Sequence, residues 1–137
     1  MAAIALRLAI AVLAFVQITS RFNDTISAMA SALSENNPDS FLENVDKNMP
    51  GYERLKSNVQ ALTAQADIHS GIDQVTEEGD EVTVNWEMRI EPLGDLPNVQ
   101  SERRVETLHL KFVQDGKRWK LAGLDHIEFF GPPRAGK

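Results

Sequence analysis

The chain has 137 residues, of which 42% are hydrophobic, and it carries a formal net charge of -6 at pH 7. This length fits one domain with a single buried core, and the absence of cysteine excludes disulfides, zinc-thiolate sites and a cysteine nucleophile. We expect no nucleic-acid partner, because the net charge repels phosphate and the basic cluster Lys117, Arg118 and Lys120 is too small to follow a phosphate backbone.

Residues 1–20 differ in composition from the rest of the chain. This segment, MAAIALRLAIAVLAFVQITS, holds one base, Arg7, and no acid. Its apolar run from Leu8 to Ile18 has about the length of a signal-peptide h-region and is too short to span a bilayer. We predict a signal peptide or an N-terminal anchor over 1–20, and export to the periplasm or secretion. A buried N-terminal helix is the alternative, and a membrane is a partner only if residues 1–20 are retained.

Apolar residues then recur at helical spacing in three segments. Asn23 or Asp24 can cap the first helix. Asn37 and Pro38 are typical of the N-cap and first position of a second, short helix. The buried sides that we predict for the three helices are, in order, Phe22, Ile26, Met29 and Leu33; Phe41, Leu42 and Val45; and Tyr52, Leu55, Val59, Leu62 and Ala66.

From Asp67 onward the apolar period falls to two, which predicts strands. We place a β-bulge at Gly71 in the first strand. The segment PLGDLPN cannot be a central strand, since it holds two prolines and a glycine. The predicted strands are Ile68 to Thr76, Glu81 to Glu91, Val99 to Val113 and Arg118 to Phe130, with hairpin turns at Glu77 to Asp80 and Gln114 to Lys117.

Long strands with one apolar face need a cover, and the helices are the only cover that the sequence offers. We therefore predict an α+β fold in which three N-terminal helices pack on a strongly curved antiparallel sheet. The predicted domain spans residues 21–131, and residues 132–137 form a loose tail.

Strand parity predicts which side chains enter the space between helices and sheet. We assign Glu87, Arg89, Glu106, Lys111 and Glu128 to the outer face. The register after Gly123 is open, and a slip of one residue would turn His126 and Glu128 inward. The inward set is Val82, Val84, Trp86, Met88, Ile90, Leu108, Leu110, Phe112, Trp119, Leu121, Ile127 and Phe129.

Three segments resemble the nuclear transport factor 2-like superfamily, the cystatin-like cone fold shared with SnoaL-like cyclases and ketosteroid isomerase. They are ISAMASALSENNPDSFLENV, EVTVNWEMRI and DGKRWKLAGLDHIEFF, and the resemblance covers residues 21–131. It implies a cone whose pocket lies between the concave sheet face and the helices. It implies little about function, since the superfamily hosts enzymes, binding modules and assembly domains.

The resemblance also implies which side chains catalysis in the cone would require. Isomerase-like members use a carboxylate base with a Tyr and a protonated acid, and dehydratase-like members use a His with a carboxylate. The predicted inward set holds none of these groups, so we assign no catalytic role of the superfamily to a residue of this chain. Weak candidates for an enzyme alternative are Tyr52, His126 and Glu128, although Asp125 and His126 should point apart as neighbours on a strand.

We predict no metal and no cofactor, although a three-ligand site can be drawn from His109, His126 and Glu128. An apolar pocket is conceivable inside the cone, with a filled core as the simpler alternative. The residues that would line this pocket are Tyr52, Trp86, Met88, Leu110, Phe112, Trp119 and Phe129.

The sequence leaves two classes of function open. We predict an exported, non-catalytic domain that binds a partner protein or a small apolar ligand in the cone. The alternative is a small dehydratase- or isomerase-like enzyme. Many cones of the resembling superfamily dimerise through the outer sheet face, and Val105 and Val113 among polar neighbours suit a homodimer surface here.

Overall fold

The computed structural model describes residues 22–94 and 100–134. Over this range the order is three α-helices, four strands and one 3-10 turn, which confirms the predicted α+β organisation. The predicted segment 1–20 lies outside the described residues. The elements are α1 (Asn23–Ser34), α2 (Pro38–Leu42), α3 (Tyr52–Gln65), β1 (Ala66–Glu78), β2 (Glu81–Pro92), β3 (Glu102–Asp115), β4 (Arg118–Leu124) and the 3-10 turn Ile127–Phe130.

The four strands form one antiparallel sheet in the order β1-β2-β3-β4. Its apolar face packs against the helices, as Phe22, before α1, shows by stacking on Phe112 of β3 with ring centroids 4.6 Å apart. The predicted helical stripes are buried, and among their residues only Tyr52 is half-buried. In the part of the chain described, no helix is long and apolar enough to cross a membrane.

The helix boundaries follow from local chemistry. Asn37 caps α2 as predicted, because its Oδ1 accepts from the backbone N–H of Ser40 at 3.1 Å, with Pro38 in the first turn. The predicted caps of α1 are wrong. Phe22 occupies the N-cap position, and no side chain caps it.

The two predicted hairpins are present, with Gly79 and Gly116 at φ 64° and 65° in their turns. The left-handed conformation of both residues suits glycine, which has no Cβ to clash. The bulge predicted at Gly71 is wrong. Gly71 stays in register opposite Glu87, and the register shifts instead between Gln74 and Thr76.

The predicted fourth strand is too long, since β4 ends at Leu124. The carboxylate of Asp125 accepts from the backbone N–H of His109 at 3.0 Å, which occupies the next hydrogen-bonding group of β3. The chain then enters the 3-10 turn, where side chains no longer alternate between two faces. Phe129 and Phe130 are therefore both buried, whereas strand parity had placed only Phe129 inward.

Strand parity holds along β2, where every second residue from Val82 to Ile90 is buried. One assignment on β3 is wrong. Glu106 lies directly opposite Trp86 in the β2–β3 register, and cross-strand partners share a face. Glu106 therefore belongs to the concave side of the sheet, at a rim where its side chain is 45% exposed.

Candidate functional site

The predicted pocket residues form the core of the protein. Trp86, Met88, Leu110, Phe112 and Phe129 are at most 4% exposed, and Tyr52 and Trp119 are half-buried against the same cluster. Side chains in such close packing leave few voids larger than a water molecule. Of the two alternatives, a ligand pocket and a filled core, the filled core is therefore the better description of this face.

Ring contacts hold this core together. Trp86 meets Phe130 edge to face at 5.1 Å, and Phe130 meets Phe129 in the same way at 5.1 Å between centroids. Trp86 also donates from Nε1 to the Ser70 hydroxyl at 3.2 Å, so its polar atom is satisfied inside the core. Edge-to-face pairs are among the favoured arrangements of aromatic side chains, and they add to the stabilisation from burial.

A group of ionisable side chains lies where β4 ends. His109 Nδ1 is 2.6 Å from Asp125 Oδ2, and the same oxygen is 3.5 Å from His126 Nε2. The expectation that Asp125 and His126 point apart is wrong, because the chain leaves the strand at Leu124. Asp125 therefore stands between two imidazoles at the surface.

The pKa of Asp125 reflects these contacts. Burial alone would raise the pKa, but hydrogen bonds from the backbone and ring of His109, with the charges of His126 and His109, outweigh burial. The net result is a pKa below the ordinary aspartate value. Asp125 is therefore ionised at neutral pH and holds the His109 ring in place.

His126 and Glu128 do not enter the cone. His126 precedes the 3-10 turn and is 40% exposed, with Glu106 Oε1 at 3.9 Å and Glu128 Oε1 at 3.8 Å. Glu128 is exposed and pairs with Arg54 at 3.4 Å. These residues border a cavity of about 210 Å³, which Arg103, Arg104, Glu106, His126, Glu128 and Phe129 help to line.

The third weak candidate, Tyr52, stands at the start of α3. The preceding Gly51 has φ 82°, and a Cβ there would overlap Ile127 of the 3-10 turn. The described residues show no hydrogen bond between Tyr52 and either His126 or Glu128. The structure brings His126 and Glu128 near each other, and it leaves Tyr52 without a hydrogen-bonded role beside them.

The side chains considered as ligands of a three-ligand metal site make separate contacts. The ring of His109 is directed at Asp125, while His126 lies among Glu106, Asp125 and Glu128 at 3.5 to 3.9 Å. Across 22–94 and 100–134, no group of three or more His, Asp or Glu side chains is arranged to hold a metal ion.

Sequence reasoning missed Arg104, a buried cation on the inward side of β3 that is 4% exposed. Its guanidinium donates to the carbonyls of Phe129 at 2.8 Å, Gly131 at 2.7 Å and Pro132 at 2.6 Å. It also pairs with the carboxylate of Glu102. The available signal was parity, since Arg104 shares the even numbering of Leu108, Leu110 and Phe112.

The Arg104 contacts bear on the segment predicted as a loose tail from residue 132. The Pro132 carbonyl accepts from Arg104, and the backbone N–H of Arg134 donates to Glu102 at 3.1 Å. The first three residues of that segment are therefore attached to β3. Residues 135–137 lie outside the described range.

Lowering the pH should weaken this attachment. Burial alone would raise the pKa of Glu102, but hydrogen bonds from Arg104 and Arg134, with their charges, outweigh burial and lower the net pKa. The stabilisation from ionised Glu102 is therefore complete above the unfolded-state pKa of about 4.3 and is lost as pH falls through the lower folded-state value. Urea unfolding from about pH 6 to pH 3 should show a shallower acid decline in Glu102→Gln than in the parent. Parallel declines would exclude Glu102 as the titrating group.

Comparisons with known proteins bear on the fold. No protein-family model and no curated protein matches the sequence. An NTF2-like designed protein, Rd1NTF2_05 with five substitutions, aligns with TM-score 0.52 and 17% identity over 75% of this chain and 93% of its own. Bd1075 of Bdellovibrio bacteriovorus aligns with TM-score 0.55 and 16% identity over 86% of this chain and 41% of its own. This chain thus spans less than half the length of Bd1075.

A third structure comes from Novosphingobium aromaticivorans and is described as a candidate aromatic ring hydroxylase. It aligns with TM-score 0.51 and 14% identity over 76% of this chain and 83% of its own. At such identities the likeness concerns the fold and carries no activity across. Together with the three helices on a curved four-stranded antiparallel sheet, it shows that the chain has the nuclear transport factor 2-like α+β cone fold.

Proposed function

We propose that this protein is a non-catalytic binding domain that associates with a second copy of itself through the outer face of the sheet. The observation that carries the proposal is the filled cone. Trp86, Met88 and Phe112, which a ligand-binding cone would use as walls, are buried against the domain's own helices and aromatic rings. The proposal therefore includes a protein partner and no small apolar ligand in the cone.

The outer face has the composition of a moderately polar interface. Val105 and Val113 of β3 are 52% and 40% exposed. Around them, Arg103 pairs with Glu87 at 3.0 Å, and Thr107 donates to Asn85 at 2.7 Å. Polar groups already paired within the monomer can enter an interface with little loss of hydrogen bonding, while exposed valines gain from burial.

Val105→Glu should weaken self-association by at least about 100-fold, because the new carboxylate would be buried opposite Glu87 of its own sheet. Sedimentation velocity over a micromolar concentration series measures this effect. Gln60→Glu on the exposed side of α3 is the control, since it adds the same charge away from the sheet. A parent protein that sediments as a monomer throughout the series would refute the proposal.

The enzyme alternative has one observation in its favour. His126 and Glu106 lie 3.9 Å apart beside the 210 Å³ cavity, and Asp125 supports His126 at 3.5 Å. An imidazole and a carboxylate in this arrangement can move a proton at carbon. Hydrogen–deuterium exchange at the α-carbon of cyclohexanone offers a direct assay. Exchange above the buffer rate that disappears in His126→Gln would favour an enzyme over the binding domain.

Export is a further part of the proposed setting. It depends on residues 1–20, whose single base and apolar run motivate it, and these residues lie outside the described range. The contacts that support self-association all lie within β2 and β3. The association proposal therefore does not depend on whether residues 1–20 are removed.

A further inference from the structure

The two edges of the sheet differ in how they are covered. At the β4 edge, Asp46 donates its backbone N–H to Leu121 at 2.8 Å, and Leu121 donates to Asn44 at 2.8 Å. At the β1 edge, Asn36 covers only the first residue by donating to the Ala66 carbonyl at 2.7 Å. Within the described ranges, the remainder of β1 is paired on one side alone, with β2.

The ladder identifies which residues of β1 face this open edge. Leu93 donates its backbone N–H to the Gln65 carbonyl at 2.9 Å, which sets residues 65 and 93 as a hydrogen-bonded pair. Such pairs alternate along an antiparallel ladder, so 67, 69, 71 and 73 bond to β2. The free backbone groups therefore belong to the alternate residues, which are Ile68, Ser70, Ile72 and Gln74.

The same side of β1 borders a groove. A cavity of about 320 Å³ lies between α1 and β1, where α1 contributes Ile26, Ser27 and Ser31 and β1 contributes Ser70, Ile72 and Gln74. Apolar groups and uncharged hydroxyl and amide groups thus lie beside unpaired backbone. A groove of this kind suits an added strand, because main-chain hydrogen bonds give affinity and alternate side chains fill the groove.

The negative charge of α1 and β1 favours a basic partner. α1 and β1 together contain five acids and no lysine or arginine. β1 also lacks the lysines and prolines by which many proteins protect an edge strand from pairing. The acids are Asp24, Asp67, Asp73, Glu77 and Glu78.

We infer that the α1–β1 groove binds an extended basic segment of a partner protein, which adds as a strand to the edge of β1 along Ile68 to Gln74. A second copy of β1 is a poor occupant, because it would set Asp67, Asp73, Glu77 and Glu78 against the same acids. This site is separate from the outer sheet face and does not rest on self-association there.

The test uses a fluorescein-labelled synthetic peptide of about nine residues, long enough to pair with Ile68 to Gln74, in which lysine alternates with threonine and valine. Anisotropy at about 0.15 M salt should show saturable binding to the full chain. Two control peptides should bind at least about tenfold more weakly: one with glutamate for lysine, and one with N-methyl groups on alternate amides. The N-methylated peptide keeps its charge and loses strand pairing.

Variants of the protein give the matched test. Ile72→Pro removes an N–H that faces the open edge and none of the β1–β2 hydrogen bonds, so it should weaken binding at least about tenfold, while Ile72→Val should not. Ser31→Trp, at an exposed position of α1, fills the groove and should have the same effect if the proline variant does not fold. Circular dichroism checks the fold of each variant.

Four outcomes would overturn the inference. The parent fails to bind the basic peptide, the N-methylated peptide binds as tightly as the unmodified one, or Ser31→Trp leaves affinity unchanged. A β1–β1 pairing of two copies that excludes the peptide would overturn it too. Repeating the titration in Val105→Glu separates the two proposals, since loss of self-association should leave peptide affinity unchanged.

Discussion

Arg104→Ala should lower the free energy of unfolding by about 3–5 kcal/mol, measured by urea denaturation at neutral pH. The guanidinium is buried and satisfies three carbonyls, those of Phe129, Gly131 and Pro132, besides the carboxylate of Glu102. Removing it leaves Glu102 largely buried without its main cation. Breaking a buried pair from one side costs more than the pair is worth, because the remaining charge is desolvated and unpaired.

The adjacent Arg103 provides a matched control for this prediction. Arg103 is 69% exposed and pairs with Glu87 at 3.0 Å on the outer face. Arg103→Ala should therefore change the free energy of unfolding by less than about 1 kcal/mol. Equal losses in the two variants would mean that the contacts of Arg104 with the C-terminal segment do not stabilise the fold.

Trp86→Ala should cost about 3–5 kcal/mol of unfolding free energy, the range for deleting a large aromatic side chain from a packed core. Trp86 is fully buried between Phe130 and the sheet, and its indole N–H is bonded to Ser70. Chemical denaturation followed by circular dichroism measures the loss, since the fluorescence of Trp86 is absent from the variant.

Trp86→Phe is the companion variant, since it keeps an aromatic ring in the core while it loses the five-membered ring of the indole and the bond to Ser70. It should cost clearly less than the alanine change. If Trp86 instead lined a hollow ligand site, truncation would cost less than about 1 kcal/mol, because no packed contacts would be lost. The stability of Trp86→Ala therefore also tests the filled cone on which the proposed function depends.

The two proposed binding surfaces are physically distinct. The outer face presents Val105 and Val113 from the middle of the sheet, while the α1–β1 groove lies at its edge. A domain that pairs with itself through its face can keep its edge free for a peptide. His109 lies on β3 between Val105 and Val113, so the group of His109, Asp125 and His126 adjoins the outer face. The cyclohexanone assay tests whether His126 moves protons.

The fold was predictable because short-range sequence patterns specify most of its helices, strands and turns. The helical stripe from Phe22 to Leu33, the Asn37–Pro38 cap and the alternation from Val82 to Ile90 each depend on residues within a few positions of one another. Hairpin turns at Gly79 and Gly116 follow from local backbone preference in the same way.

One error lies where a contact distant in sequence overrides the local pattern, and another is a misapplied parity. The apolar alternation in the sequence predicted that β4 continues to Phe130. In the structure the carboxylate of Asp125 accepts from the backbone N–H of His109, and β4 ends at Leu124. Glu106 was placed on the outer face although parity alone assigns it to the concave side, opposite Trp86.

The sequence by itself determined the helices, most of the strands and the apolar face that they share, because periodicity follows from the geometry of each element. Only the tertiary structure decided that this face is filled by Trp86, Phe112 and Phe130, and that Arg104 is buried. The reason is that burial of a cation requires acceptors, and those of Arg104 come from Phe129, Gly131 and Pro132, more than twenty residues further along the chain.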